Sequence, residues 1–361
     1  LLRYTAAAAE LSERRPYLID KYIAGIEIEV DAICDGEQVL IPGIMEHVER
    51  AGVHSGDSLA VYPAQSLTYA QREQVVDYTT RLGRGLGVRG LFNVQYVLHR
   101  ATRTLYVLEV NPRASRTVPF LSKVTGVPMV EIATRIMLGE SLAAQGYAPG
   151  LWPAQPLVAV KAPVFSMAKL PQVDTYLGPE MKSTGEVMGI DWTYEGALTK
   201  ALIAAGLMLP AEGAILATVA DDDKPAAAVL LASLVEQGYR VYATEGTARA
   251  LQAFGLPVER VVAKLGAGRP DCEDIIRDGT VQVVLNTLSP SLVPLRDGLA
   301  MRRAAVERRV PCFTSLDTLR VAVQALAAAR GARHAYEVRP LPEYRAGRAG
   351  AVVRSEVPLR R

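Results

Sequence analysis

From Ile26 to Ile33 the chain alternates strictly, with Ile26, Ile28, Val30 and Ala32 on one side and Glu27, Glu29 and Asp31 on the other. A period of two predicts a β-strand whose carboxylate side faces solvent or a polar cleft. Before it, a helix-like stretch runs to about Arg15, where Pro16 punctuates it. After it, Val39–Ile44 predicts a second short strand, then a polar, glycine-bearing loop, EHVERAGVHSGDS, ending near Pro63. Thr68–Leu86 reads as a helix opened by a threonine cap. Leu91–Leu98 and Thr104–Val110 are strands close enough to pair as an antiparallel hairpin around Arg100–Arg103. Pro128 opens a helix that Gly139 stops, and a proline-rich stretch then leads to a helix over Glu195–Ala205.

Glu212–Gly213 marks a boundary. Beyond it, strands at Ala214–Val219, Arg240–Ala243, Glu259–Val262 and Val281–Leu285 alternate with helical segments. The last two helices are expected near Arg296–Arg308 and Ser315–Ala329. Such alternation predicts a parallel sheet with helices on both faces. The expected fold is therefore mixed, α+β in the first part and α/β in the second. The final stretch, RPLPEYRAGRAGAVVRSEVPLRR, has no apolar period and is expected to be a flexible basic tail.

Composition narrows the partners. A chain of 361 residues suits two or three domains. Half the residues are hydrophobic and 22% are charged, which excludes wholesale disorder. The net charge is only +2, so there is no electrostatic reason to expect nucleic acid as a partner. No run approaches the roughly 20 apolar residues of a membrane span, and no membrane partner is expected. Cys34, Cys272 and Cys312 form no CxxC pair, and the histidines form no HxxxH pair. Neither a disulfide framework nor a zinc cluster fits, and a cytoplasmic location is expected. The opening, LLRYTAAAAELSERRPYLID, lacks an initiator Met and a signal-peptide core and reads as the middle of a helix. The chain is thus expected to be the back part of something longer.

The hairpin carries the most chemistry. Asn93 and Gln95 share one face of its first strand, Glu109 and Asn111 one face of its second. With the turn centred near Thr102, Gln95 lies opposite Glu109 and the polar faces coincide. One carboxylate plus amide carbonyl oxygens is a hard-oxygen set suited to Mg²⁺ bridging nucleotide phosphates. Arg113 and Arg116 follow, where they could clamp anionic oxygens. On this pattern alone an exposed polar hairpin is the commoner reading, and either arginine could be a surface ion pair.

The surrounding sequence adds more. The segments YLIDKYIAGIEIEVDAICDGEQVLIPGIMEHVERAGVHSGDS, EVNPRASRTVPFLSKVTGVP and LGPEMKSTGEVMGID resemble the carbamoyl phosphate synthase large-subunit family, in its second, C-terminal synthetase half. The similarity continues into ATEGTA, GRP and VVLNT and covers nearly the whole chain apart from the tail. The resemblance implies the C-terminal part of an ATP-grasp domain over residues 1–208, lacking the front of the ATP cleft. It implies a methylglyoxal-synthase-like, Rossmann-like allosteric domain over 209–335, and leaves the basic tail at 336–361.

By this resemblance Gln95, Glu109 and Asn111 are ligands of one or two Mg²⁺ or Mn²⁺ ions that hold ATP. Glu27 accepts from the ribose hydroxyls, Gly52, Val53, His54 and Ser55 form a nucleotide-contacting loop, and Lys21 and Ile23 contact adenine. Arg113 and Arg116 hold the carbamate and the transferred phosphoryl group. The implied reaction is ATP-dependent phosphorylation of carbamate to carbamoyl phosphate, as used in arginine and pyrimidine biosynthesis, with catalysis by positioning and charge neutralisation. In the second domain Thr218, Lys224, Thr244, Gly246, Thr247, Lys264, Asn286 and Thr287 are the implied contacts of a nucleotide effector. The implied protein partners are the absent N-terminal part of the large subunit and a glutamine amidotransferase small subunit.

Several positions depart from the family pattern. The chain is one residue short between Asp20 and Glu27. Glu245 and Leu288 stand where bacterial relatives often carry histidine and threonine. Ala162 replaces a glutamate of an ornithine site whose Glu49 and Asp57 are retained, so little or no ornithine activation is expected. The Gly-rich loop that covers the ATP phosphates would precede Leu1, so the isolated chain is expected to be catalytically incomplete. The alternative is a non-catalytic chain whose working part is the nucleotide-binding second domain. A biotin-carboxylase-like enzyme is disfavoured because an α/β domain directly follows GPEMKSTGEVMG.

Overall fold

Residues 20–167, 173–288, 292–331 and 337–347 are described by the computed structural model of the chain. The helix expected up to Arg15 lies outside them.

The alternating segment is a long strand, β1 (Gly25–Asp35), in the interior of the first sheet. Around it the main path runs β6-β5-β1-β3-β4-β8-β9, with neighbours antiparallel. The strands are β2 (Val39–Ile41), β3 (Ile44–Arg50), β4 (Ala60–Tyr62), β5 (Arg89–His99), β6 (Leu105–Asn111), β7 (Gly150–Leu151), β8 (Val158–Val164) and β9 (Gly185–Asp191). Strands β2 and β7 pair beside β1. Helix α1 (Tyr69–Gly85) starts at a full capping box, with Thr68 and Gln71 bonding each other's backbone. It covers the apolar face made by Ile28, Val30, Ala32, Phe92, Val94 and Leu98. Helices α2 (Thr117–Thr125) and α3 (Met129–Met137) bury Phe120, Leu121, Ile132 and Ile136 against Ile33, Met45 and Tyr62. Helix α4 (Tyr194–Ala205) lies on β8 and β9 and ends at Gly206 in the left-handed conformation.

The structure corrects three expectations here. The single strand expected over Val39–Ile44 is two, broken at Pro42–Gly43, and the first half of the expected loop is β3. Its inward positions include His47 and Glu49, which are buried, so a polar core face erased the hydrophobic period. The proline-rich stretch holds β8, and β9 lies between it and α4. Pro163 lies past the residues of β8 that pair with β4, where its missing N–H costs no bond to that strand. The basic tail is ordered over part of its length. Helix α10 (Leu341–Ala346) docks Tyr344 into the α2–α3 core, where the ring packs on Trp192 and the hydroxyl accepts from Lys200 Nζ at 2.8 Å. Residues 348–361 lie outside the described residues.

The second sheet is parallel as expected, in the order β12-β11-β10-β13-β14. Its strands are β10 (Ala214–Thr218), β11 (Arg240–Thr244), β12 (Arg260–Val262), β13 (Val283–Asn286) and β14 (Cys312–Phe313). Between them run α5 (Lys224–Glu236), α6 (Glu245–Ala253), α7 (Cys272–Arg277) and α8 (Leu292–Arg308), and α9 (Leu316–Gly331) follows. One apolar cluster joins the two sheets: Val61, Val160 and Leu198 from the first unit meet Leu319, Ala322 and Leu326 of α9.

Candidate active site

The polar face of the first sheet is one continuous surface. Register places Glu29 opposite Gln95 and Asp31 opposite Asn93 across β1–β5. Across β5–β6 it places Gln95 opposite Glu109 and Asn93 opposite Asn111, the pairing expected of the hairpin. A bulge after Gln95 shifts the rest of β6 by one residue, so the polar pairs end there. The Asn111 amide donates to Glu109 Oε1 at 2.8 Å, and the Gln95 amide donates to Ser55 Oγ at 3.3 Å. Asn111 and Glu109 are thus in contact, with Gln95 opposite Glu109 on the adjacent strand. One carboxylate and two amide oxygens suit a hard divalent cation that draws its remaining ligands from phosphate. No group of three or more His, Cys, Asp or Glu side chains among the described residues forms a metal cluster of its own.

Beside this hairpin lies a buried network. Glu27, Glu29 and Asp31 are 3%, 2% and 0% exposed, so the carboxylate side of β1 faces the protein rather than solvent. His47 bridges two of them, with Nδ1 at 3.1 Å from Glu27 Oε2 and Nε2 at 2.9 Å from Glu29 Oε2. Burial opposes a charged ring, but the hydrogen bonds and charges of the two glutamates outweigh it and raise His47 to about 9. Glu29 experiences the reciprocal effect: burial would raise it, but His47, Lys161 and Asn93 pull it below the usual carboxylate range. Burial and the neighbouring Glu29 charge push Asp31 up to about 7, although Thr117 and Asn93 donate to it. His47 had no assigned role from sequence. Its signal was the alternation of β3, masked because the face it serves is polar.

Glu27 also accepts from the Gly52 N–H at 3.0 Å, which ties the Gly52–Ser55 loop to β1. Gly52 has a φ of 99°, a conformation that a side chain would strain. The tie means that both Glu27 oxygens already accept within the protein. His54 Nδ1 accepts from the Gly56 N–H at 3.0 Å, leaving Nε2 as the ring's donor. Lys161, fully buried on β8, donates to the Ser55 carbonyl at 2.9 Å. Lys21 and Ile23 flank Tyr22 in sequence, and the Tyr22 hydroxyl donates to the Ala51 carbonyl beside this loop.

The two arginines differ. Arg116 donates to Ser183 Oγ at 2.8 Å and lies 3.4 Å from Glu186, so it belongs to the mouth of the β8–β9 hairpin. Arg113 is exposed, and its guanidinium donates to the adjacent Ala114 carbonyl at 3.1 Å. Sequence reasoning did not single out Ser183, Glu186 or Lys161, which hold Arg116 and the loop in place.

In the second unit, the eight expected effector contacts line one cavity of about 290 Å³: Thr218, Lys224, Thr244, Gly246, Thr247, Lys264, Asn286 and Thr287. Parallel strand ends with helix N-termini above them are suited to an anion. Thr247 and Thr287 brace the exit of β10 by accepting from the Val219 and Ala220 N–H groups. Leu288 also lines the cavity, whereas Glu245 is exposed and paired with Arg249.

Comparison with known proteins bears on the family. Residues 2–145 match the family described as carbamoyl-phosphate synthase L chain, ATP binding domain, and residues 227–314 match the MGS-like domain. Over 345 residues, 96% of its length, the chain is 57% identical to the carbamoyl phosphate synthase large chain of Thermomicrobium roseum. The chain is homologous to part of the carbamoyl phosphate synthase large chain. It spans about a third of that relative, 32% of its length. Among solved structures, the biotin carboxylase domain of a single-chain bacterial carboxylase is 22% identical, with 55% of this chain and 50% of that one covered and a TM-score of 0.40. The Kluyveromyces lactis urea amidolyase is 17% identical, with 50% and 12% covered and a TM-score of 0.40. No helix among the described residues is long and apolar enough to cross a membrane.

Proposed function

We propose that this carbamoyl phosphate synthase segment forms the metal- and phosphate-binding side of an ATP site that phosphorylates carbamate to carbamoyl phosphate. The observation that carries the reading is the hairpin register, which sets Gln95 opposite Glu109 and brings Asn111 to the same end. Gln95, Glu109 and Asn111 would hold Mg²⁺ or Mn²⁺, whose chemistry when bound is to neutralise phosphate charge. Arg116, held by Ser183 beside Glu186, and exposed Arg113 would clamp the anionic oxygens. The buried Glu27–His47–Glu29 network keeps the Gly52–Ser55 loop in register against β1, so little needs to reorganise when a nucleotide binds. No side chain serves as a covalent nucleophile in this scheme.

The cavity of the second unit is proposed as the nucleotide effector site. Full activity requires the remaining part of the large subunit and ammonia from an amidotransferase subunit. Formation of ATP from ADP and carbamoyl phosphate tests the reading. We expect none from the chain alone, and restored activity with the rest of the large subunit supplied. Turnover by the isolated chain contradicts incompleteness, and a reconstituted enzyme indifferent to divalent cation contradicts the metal site.

A further inference from the structure

Arg302 on α8 is 0% exposed, the largest fully buried side chain among the described residues. A buried guanidinium persists only when its N–H groups are met and its charge is paired. Here Nε and Nη2 grip the two oxygens of Asp174 at 2.6 and 2.5 Å, and Nη1 donates to Asn286 Oδ1. Those partners lie in different units. Asn286 ends β13 and lines the effector cavity, whereas Asp174 belongs to the segment leading back to the first sheet. Gly298, one turn earlier on α8, leaves the room required: a methyl there would lie 2.5 Å from Arg302 Nη1 and 3.2 Å from Asn286 Oδ1.

The segment that begins at Asp174 runs directly to the proposed phosphate end. The Gly178 carbonyl accepts from the His54 N–H at 2.8 Å. The Lys182 and Ser183 N–H groups donate to Asp57 at 2.8 and 2.9 Å, and Ser183 holds Arg116. The Leu177 N–H donates to Thr314 Oγ1, a second tie to the second unit. With Oδ1 committed to Arg302, Asn286 offers the cavity only its amide N–H, a donor suited to an anionic or carbonyl-bearing ligand.

We propose that Arg302 is a positioning residue that couples the cavity of the second unit to the Arg116 end of the first. A ligand that pulls on Asn286 shifts the guanidinium, and the bidentate grip carries that shift to Asp174 and the 174–183 segment. The regulatory sense of the inference rests on the effector reading above, whereas the mechanical coupling does not.

Amide hydrogen exchange on the whole chain tests the two separately. Without ligand, Asn286→Ala and Gly298→Ala each perturb only the cavity side of Arg302. Both are expected to speed exchange at Leu177, Lys182 and Ser183 by about tenfold, with β1 amides unchanged. Asp174→Asn, which weakens the ion pair yet keeps its shape, is expected to do the same. Folded variants whose 177–183 amides exchange as in the parent overturn the coupling. Inorganic phosphate then probes the reading beneath it. Binding that Lys224→Ala abolishes should slow the same amides in the parent, and should leave them unchanged in Arg302→Met. If phosphate binds but slows these amides equally in Arg302→Met, Arg302 is not the coupler. If phosphate does not bind, the anion-site reading falls, and the ligand-free variants still decide the coupling.

Discussion

At the scale of single residues, the site rests on side chains that differ in what they do when removed. His47 holds the network beneath it, among the charges of Glu27, Glu29 and Glu49, with Lys161 acting on Glu29 from β8, beyond β4. Its folded pKa, about 9, lies above the ordinary 6.5. The stability it contributes is therefore complete below about pH 6.5 and lost as pH rises through about 9, some 3 kcal/mol in all. His47→Gln should flatten that decline, and at pH 6 should cost about 3 kcal/mol because two buried carboxylates lose their cation. Urea unfolding across this pH range checks both statements; a parent stability that does not fall toward pH 9 contradicts them. Glu109 is the opposite case, being exposed and accepting from the Asn111 amide at 2.8 Å. Glu109→Gln should leave unfolding within about 0.5 kcal/mol of the parent. In the assembled enzyme it should lower kcat about 10²–10³-fold. Of these residues Glu109 was legible in sequence, because it sits on a period-two strand beside a short turn. His47 was not, because a buried polar strand has no hydrophobic alternation to betray it.

At the scale of elements, legibility followed the same rule. Helix α1, with its threonine cap, and the β5–β6 hairpin, with its short turn, announce themselves through local chemistry. The β8–β9 pair does not, because Pro163, Gly185 and Gly189 read as breakers. The structure gives one of those glycines a reason. A methyl on Gly189 would collide with the Ala197 carbonyl and the Ala201 nitrogen, both backbone atoms of α4. The glycine lets the helix lie directly on the strand, which is invisible in sequence because α4 is not yet placed. Gly189→Ala should therefore cost at least about 2 kcal/mol, since neither backbone atom can turn aside. Gly185→Ala is the control. Its methyl would make ordinary contact with Val164 Cβ at 3.9 Å, so it should change stability by less than about 1 kcal/mol. Equal losses in both variants would show that helix docking is not what Gly189 provides.

At the scale of the whole molecule, the two units are joined by polar contacts as well as by the apolar cluster around α9. Thr318 of α9 donates to Glu49 Oε1 at 2.9 Å, and the Leu59 N–H donates to the other oxygen at 2.7 Å. A cavity of about 400 Å³ lies at this junction, lined by Glu49, Asp57, Thr314, Thr318 and apolar side chains including Phe165, Leu177 and Val310. Its overall place was not legible, because it forms only when β3, β8 and the end of α8 converge. The replacement at Ala162 was legible, and the structure gives it context: Ala162 is fully buried on β8 and is not among the residues lining the cavity. The two remaining carboxylates are poor anchors for a diamine. Asp57 spends both oxygens on the Lys182 and Ser183 N–H groups, and burial pushes Glu49 up to about 7 despite its two donors. An ammonium group entering here would meet a Glu49 only partly ionised at neutral pH and would find no third carboxylate from β8. Ornithine should therefore change the rate of the reconstituted enzyme by less than about twofold, and titration calorimetry on the chain should show no saturable heat. Activation well beyond twofold, absent in Glu49→Gln, would mean that the cavity binds the diamine with two carboxylates alone.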